Sequence, residues 1–225
     1  MDLLALARNY AAVKASLPSH VTLVAVSKTR TVEEIRALYD LGHRDFGENY
    51  PQELKEKQPA LPGDIRWHFI GHLQRNKVKY ILPFVHLVHG VDSEGLLDEL
   101  QKRASALGRT VDLLLQVHIA QEETKHGFSP QELESLLTRW EKISSSHLRI
   151  RGLMGMASLT EDHERIRTEM EGLSGLFRKI RTQGPFASEA FSILSMGMSS
   201  DADIALGAGS THVRIGTALF GARRG

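Results

Sequence analysis

Residues 22–49 read TLVAVSKTRTVEEIRALYDLGHRDFGEN. The stretch opens on a β-rich run, 22–28 (TLVAVSK), and closes on a second, 45–49 (DFGEN). Between them a helical pattern, 31–41, starts with a capping box, Thr31 with Glu34, and stops at Gly42. Strand, helix and strand in direct succession point to parallel neighbours, because parallel strands need a crossover. The run 45–49 is weak by propensity alone and is read as a strand because the alternation around it requires one.

The alternation continues along the chain. Further runs are 66–72 (RWHFIGH), 87–92 (LVHGVD), 111–119 (VDLLLQVHI), 150–157 (IRGLMGMA), 191–198 (FSILSMGM) and 212–221 (HVRIGTALFG). The helical pattern 93–107 carries Leu96, Leu97, Leu100, Ala104 and Leu107 on one face and stops at Gly108. In 129–143, Ser129, Pro130 and Glu132 supply an N-cap, a first-turn proline and a capping box, and Leu133, Leu136, Leu137 and Trp140 form the inward stripe. In 161–181 the stripe is Ile166, Met170, Leu173, Phe177 and Ile180. Shorter helices fit 51–58, 73–82 and 201–207, and Leu3, Leu6, Tyr10, Val13 and Leu17 mark an amphipathic helix at the start. Eight strand–helix units without a linker predict an α/β fold, a (β/α)8 TIM barrel with an extra N-terminal helix, as one domain over 1–225. The competing open sheet would carry a glycine-rich phosphate loop after its first strand, and GxGxxG is absent there.

Composition narrows the class. Of 225 residues, 41% are apolar and 24% charged, as in ordinary globular proteins. There is no cysteine, which removes disulfides, thiolate metal sites and cysteine nucleophiles. Lys plus Arg is 28 against 27 for Asp plus Glu, a balance that gives no reason to expect nucleic acid or an anionic membrane as partner. No stretch approaches the roughly 18 apolar residues of a membrane span. Asp2 and Arg8 leave the N-terminal apolar run too short for an export signal. The expectation is a soluble, cytoplasmic protein.

A barrel places its active residues at the C-terminal ends of the strands. Lys28 ends the first run, either as a solvated lysine or as an amine that desolvation keeps neutral and able to form a Schiff base with an aldehyde. Asn49 and His72 end the second and third runs, as ligand contacts or as caps of the following helices. The segment 195–201 (SMGMSSD), with Ser195 and Ser199, and the segment 214–217 (RIGT), with Gly216, follow strands seven and eight, where barrels often hold phosphate. Arg214 reads as a phosphate contact, a partner for a ring nitrogen, or half of a salt bridge. His68 and His72 lie four apart on a strand rather than a helix, His86 and His89 are expected on opposite faces of a strand, and HExxH is absent, so no metal is expected. A Ser-His-Asp hydrolase lacks its GxSxG elbow.

LVAVSKT, DFGENY with Gln52 and Lys55, WHFIGHLQRNK, the VDS at 91–93, RGLMGMA, LSMGMSSD and AGSTHVRIGTALFGAR occur in this order from Val24 to Arg223. On these segments the sequence resembles the pyridoxal-phosphate homeostasis protein family, whose fold resembles the barrel domain of bacterial alanine racemase. The resemblance implies that Lys28 holds pyridoxal 5'-phosphate as a Schiff base. It also implies that Ser195, Gly197, Gly216 and Thr217 surround the phosphate, that Arg214 lies near the pyridine nitrogen, and that Asn49, His72 and Met154 lie near the ring or the mouth. The role of TKHGF, 124–128, is left open.

The resemblance implies a protein of intracellular pyridoxal-phosphate homeostasis, a carrier or regulator rather than an enzyme, with apo-enzymes that use the cofactor as partners. Related racemases draw a second acid/base from another domain or subunit, and 225 residues leave no segment for one. The alternative is an amino-acid racemase with a minimal site, using His72 or Tyr50 as second base. A Schiff-base aldolase acting on a phosphosugar is the third reading. A compact barrel without an exposed apolar stripe is expected to be a monomer.

Overall fold

The computed structural model describes residues 2–122, 126–140, 146–186 and 189–222. In chain order the elements are α1 (Leu3–Ser16), β1 (Thr22–Val26), α2 (Val32–Asp40), β2 (Asp45–Glu48), α3 (Pro51–Lys57), β3 (Arg66–Phe69), α4 (Val78–Ile81), β4 (Leu87–Val91) and α5 (Glu94–Ala106). They continue with β5 (Val111–Gln116), α6 (Pro130–Arg139), β6 (Leu148–Met154), α7 (His163–Gln183), β7 (Ile193–Ser195), α8 (Ala202–Gly207), β8 (His212–Ile215) and α9 (Thr217–Phe220). Each strand pairs in parallel with the next, and β8 returns to β1, so the sheet is a closed eight-stranded barrel. The expected (β/α)8 architecture is therefore the observed one, weak β2 included. Both predicted capping boxes form, Thr31 with Glu34 and Ser129 with Glu132.

Strand alternation divides the barrel into two interiors. Outward residues such as Leu23, Ala25, Phe46, Leu113 and Leu115 join a continuous core beneath the helices. Inward residues include a small separate cluster of Leu87, Leu114 and Met154, packed by Met156 and Ile193. His68, His89 and His212 crowd the rest of the lumen, with ring centroids 5.2 to 6.4 Å apart.

Strand ends differ from the sequence reading in a consistent way. The runs 66–72, 111–119 and 191–198 are strand only over Arg66–Phe69, Val111–Gln116 and Ile193–Ser195, and 150–157 is displaced to Leu148–Met154. Ile70, Val117, Ala157 and Met196 just beyond them are nonetheless buried, in the loops at the barrel mouth. Hydrophobicity reports burial and does not mark where pairing stops. The run 212–221 leaves the sheet at Ile215, and its second half forms α9, where Leu219 is buried and accepts a hydrogen bond from Asn9 Nδ2 at 3.1 Å. In α1 only Leu6 is buried, and Leu3 departs from the predicted stripe at 57% exposure. His86 and His89 do not face opposite ways: both rings lie against His68, at 5.4 and 5.2 Å, because His86 precedes the first residue of β4 and escapes its alternation. The last residues of the helix predicted over 129–143 lie outside the described residues.

Closure between β6 and β7 depends on Gly152. Its φ is +155°, and a Cβ there would fall far inside contact distance of the Ile193 carbonyl oxygen. Gly152→Ala is therefore expected to cost at least about 3 kcal/mol in denaturant unfolding, by forcing apart strands that start Ser195 toward the mouth.

Candidate functional site

Lys28 stands half-buried in the turn after β1, and the residues on both sides of it are clamped. Ser27 is fully buried, and its hydroxyl donates to Glu48 Oε1 at 2.6 Å. Lys57, on α3, donates from Nζ to the Ser27 carbonyl at 2.9 Å, to Glu48 Oε1 at 2.9 Å and to Glu53 Oε2 at 2.7 Å. Glu53 in turn accepts from the Thr29 amide at 2.8 Å. Thr29 has a φ of +63°, a left-handed conformation that a threonine adopts only when its surroundings hold it. The ammonium of Lys57 thus spends all three protons around one turn. Burial raises the pKa of Glu48 despite the charge of Lys57 and the hydrogen bonds from Ser27 and Lys57. Among the described residues, Glu48 Oε2 is buried without a partner.

Arg214 lies on β8, next to Val24 of β1, and is 4% exposed. Its Nη1 donates to Ser195 Oγ at 2.7 Å and its Nη2 to the Gly155 carbonyl at 3.1 Å. Among the described residues no carboxylate pairs with it, so the salt-bridge reading does not hold. Burial lowers its pKa to about 10, which still leaves it charged at neutral pH. The charge of Asp201 opposes that shift from a distance without forming an ion pair, so the guanidinium keeps N–H groups that no carboxylate among the described residues takes.

The remaining expected residues sit around the same mouth. Asn49 follows β2 and does not cap α3, whose N-cap is Tyr50; its Oδ1 is buried with no donor. His72 is exposed, and its Nδ1 lies 2.7 Å from Asp92 Oδ2, so it caps no helix either. His126 stacks on it at 3.9 Å, held where Gln116 Nε2 donates to the His126 carbonyl at 2.7 Å. Thr124 and Lys125 of the TKHGF segment lie outside the described residues. Met154 is sealed inside the lumen. Gly197 has a φ of +95°, and a Cβ there would meet Ala205 Cβ at 2.5 Å, so the 195–201 loop turns tightly against α8. Gly216 lets β8 pass close to Val26, with Thr217 exposed at the start of α9.

Several participants went unread in the sequence. Glu53 and Lys57 carry an i, i+4 signal, but it suits an exposed helix face equally well. Glu48, His89 and Asp92 carry no local signal, since Ser27, Ser195 and His72 meet them from other units of the barrel.

A profile of the alanine racemase N-terminal domain matches residues 1–224. A pyridoxal phosphate homeostasis protein of Aquifex aeolicus is 39% identical, over 90% of this chain and 87% of its own. The solved structure of PipY from Synechococcus elongatus without PLP is 35% identical, with a TM-score of 0.90 over 96% of this chain and 100% of its own; PipY has also been solved with PLP bound, at 34% identity and a TM-score of 0.86. Alanine racemase from E. faecalis shares the fold at 18% identity and a TM-score of 0.77, over 99% of this chain and 59% of its own.

The clamp around Lys28 can be measured as a coupling. Lys57→Met is expected to lose about 3 kcal/mol of stability, because it strands Glu48 in the core. Adding Glu48→Gln is expected to return at least half of that loss in a double-mutant cycle.

Proposed function

Because this chain belongs to the pyridoxal phosphate homeostasis protein family, built on the fold of the alanine racemase N-terminal domain, we propose that it binds pyridoxal 5'-phosphate at the barrel mouth. Lys28 holds the aldehyde as a Schiff base, and residues 1–225 act as one cofactor-binding domain. The observation that carries the reading is Arg214: a buried guanidinium that no carboxylate among the described residues hydrogen-bonds, on the strand paired with the one that leads into Lys28.

The donor set fits the cofactor's three polar features. The clamped turn presents a primary amine for the aldehyde. The amides and small residues around Gly197, Gly216 and Thr217 leave room and donors for the phosphate. Arg214 offers only donors, so the ring nitrogen it meets stays unprotonated. The buried Asn49 Oδ1 lacks a donor, which a ring hydroxyl would supply. When bound, the cofactor supplies a reactive aldehyde and an electron sink, the sink weakened by an unprotonated ring. That arrangement is compatible with storage of the aldehyde, in line with a role in cofactor homeostasis and with apo-enzymes as recipients, and it does not by itself exclude turnover.

One observation favours the racemase alternative. His72 spends Nδ1 on Asp92 and keeps Nε2 as a possible base, the geometry of an oriented general base. Its side chain is 44% exposed, however, and open water competes for the proton it would move.

Two measurements test this reading. Borohydride reduction in the presence of pyridoxal phosphate is expected to fix one cofactor mass on the peptide carrying Lys28 and none in Lys28→Ala; an adduct retained in the same pocket by Lys28→Ala would overturn the assignment. With L-amino acids in deuterated water, a carrier leaves Cα protonated, whereas deuterium entry at a catalytic rate selects the racemase.

A further inference from the structure

Arg214 is the upper end of a series of hydrogen bonds that crosses the lumen. Ser195 Oγ, which accepts from Arg214, lies 2.9 Å from His89 Nδ1. His89 Nε2 lies 2.9 Å from His68 Nδ1, and His68 Nε2 lies 3.1 Å from Asp45 Oδ1. Arg66 closes the far end, donating from Nε and Nη2 to the two oxygens of Asp45 at 2.7 and 2.5 Å. Asp45 and Arg66 start β2 and β3 at the N-terminal rim, where the Arg66 side chain is 47% exposed. His68, His89 and Ser195 are at most 1% exposed.

Both imidazoles use both nitrogens, so one proton assignment dictates the next. Burial opposes ionisation of Asp45, but the hydrogen bonds from His68 and Arg66 outweigh it and hold the carboxyl below its ordinary range. Asp45 is therefore an acceptor, and His68 donates from Nε2. With a single proton on His68, at Nε2, its Nδ1 accepts, which places the His89 proton on Nε2. His89 Nδ1 is left as an acceptor, and the Ser195 hydroxyl donates to it. A second proton on His68 would reverse the series. Arg66 already meets the charge of Asp45, and the neighbouring His86 and His212 rings bring no negative charge. A further cation would then share the lumen with Arg214, which no carboxylate among the described residues hydrogen-bonds.

We infer that Asp45, His68, His89 and Ser195 are positioning residues for Arg214, joined in a single donor direction from the cofactor mouth to the opposite rim of the barrel. The resemblance places Ser195 around the phosphate; in this arrangement its hydroxyl proton is committed to His89 and its oxygen to Arg214, so its side chain has no donor left for an anion. The guanidinium is held at Nη1 by Ser195 and at Nη2 by Gly155, which sets the direction of its remaining N–H groups. The effect on cofactor binding rests on the proposed meeting of Arg214 with the pyridine ring; the proton assignment does not.

The assignment is read directly by nitrogen-15 NMR of histidine-labelled protein without cofactor. His68 and His89 are expected to be neutral and protonated at Nε2 at neutral pH; His89 protonated at Nδ1, or His68 doubly protonated, would overturn the inference. Binding is tested by titration with pyridoxal phosphate. His89→Leu, which breaks the series, is expected to bind about tenfold more weakly, the loss of one charged hydrogen bond. His89→Gln keeps an acceptor toward Ser195 and a donor toward His68, and is expected to stay within about threefold of the parent. Equal affinity in parent and His89→Leu, or equal weakness in both variants, would overturn the positioning role. If His89→Leu does not fold, Ser195→Ala breaks the last link and is expected to show the same tenfold loss; parent-like affinity there would overturn the role. A parent that forms no adduct at Lys28 refutes the proposed function, while the histidine tautomers still decide this inference.

Discussion

The pairing of β1 with β8 is the contact on which the molecule is organised. Thr22, Leu23, Val24 and Ala25 lie in register with His212, Val213, Arg214 and Ile215, so segments about as far apart as the chain allows become hydrogen-bonded neighbours. This closure removes both sheet edges at once. It also brings the strand that leads into Lys28 against the strand that carries Arg214 and Gly216. Gly216 passes so near Val26 that a side chain there would crowd it. An open sheet with the same strands would leave the amine and the guanidinium at opposite edges.

Closure then decides how charge is distributed. A parallel barrel has two dry regions, one inside the strands and one between strands and helices, and alternation sends successive residues to each. Outside the wall, Lys57 joins Glu48 and Glu53 around the turn that bears Lys28. Inside it, among the described residues Arg214 donates to a hydroxyl and a carbonyl, with imidazoles and then a carboxylate behind the hydroxyl. The first arrangement is a structural cluster in which one ammonium serves two carboxyl groups. The second keeps its positive end at the mouth and its negative end at the opposite rim, where Arg66 screens it from solvent.

Much of this was legible in the chain. Caps at Thr31 and Ser129, glycine stops and the strand–helix rhythm all act over a few residues, so they survive in one dimension, and the order SMGMSSD then RIGT located the loops after strands seven and eight. The strand ends were misread because Ile70, Val117 and Met196 are buried by the mouth loops, and an apolar residue looks the same whether a strand or a loop buries it. His86 and His89 were misread for a related reason: alternation holds only within a strand, and His86 lies before its start.

What the sequence by itself determined was the parallel eight-unit barrel, its family, and Lys28, Asn49, His72 and Arg214 as residues of its mouth, because periodicity, caps and motifs are properties of neighbours in the chain. What only the tertiary structure decided was the company those residues keep. Ser195 turning its hydroxyl to Arg214 and His89, Lys57 clamping the Ser27 carbonyl, and His126 stacking on His72 each join units that the chain separates. Hydrogen bonds of about 3 Å are satisfied by whichever groups closure brings into reach, and no local pattern records which those will be.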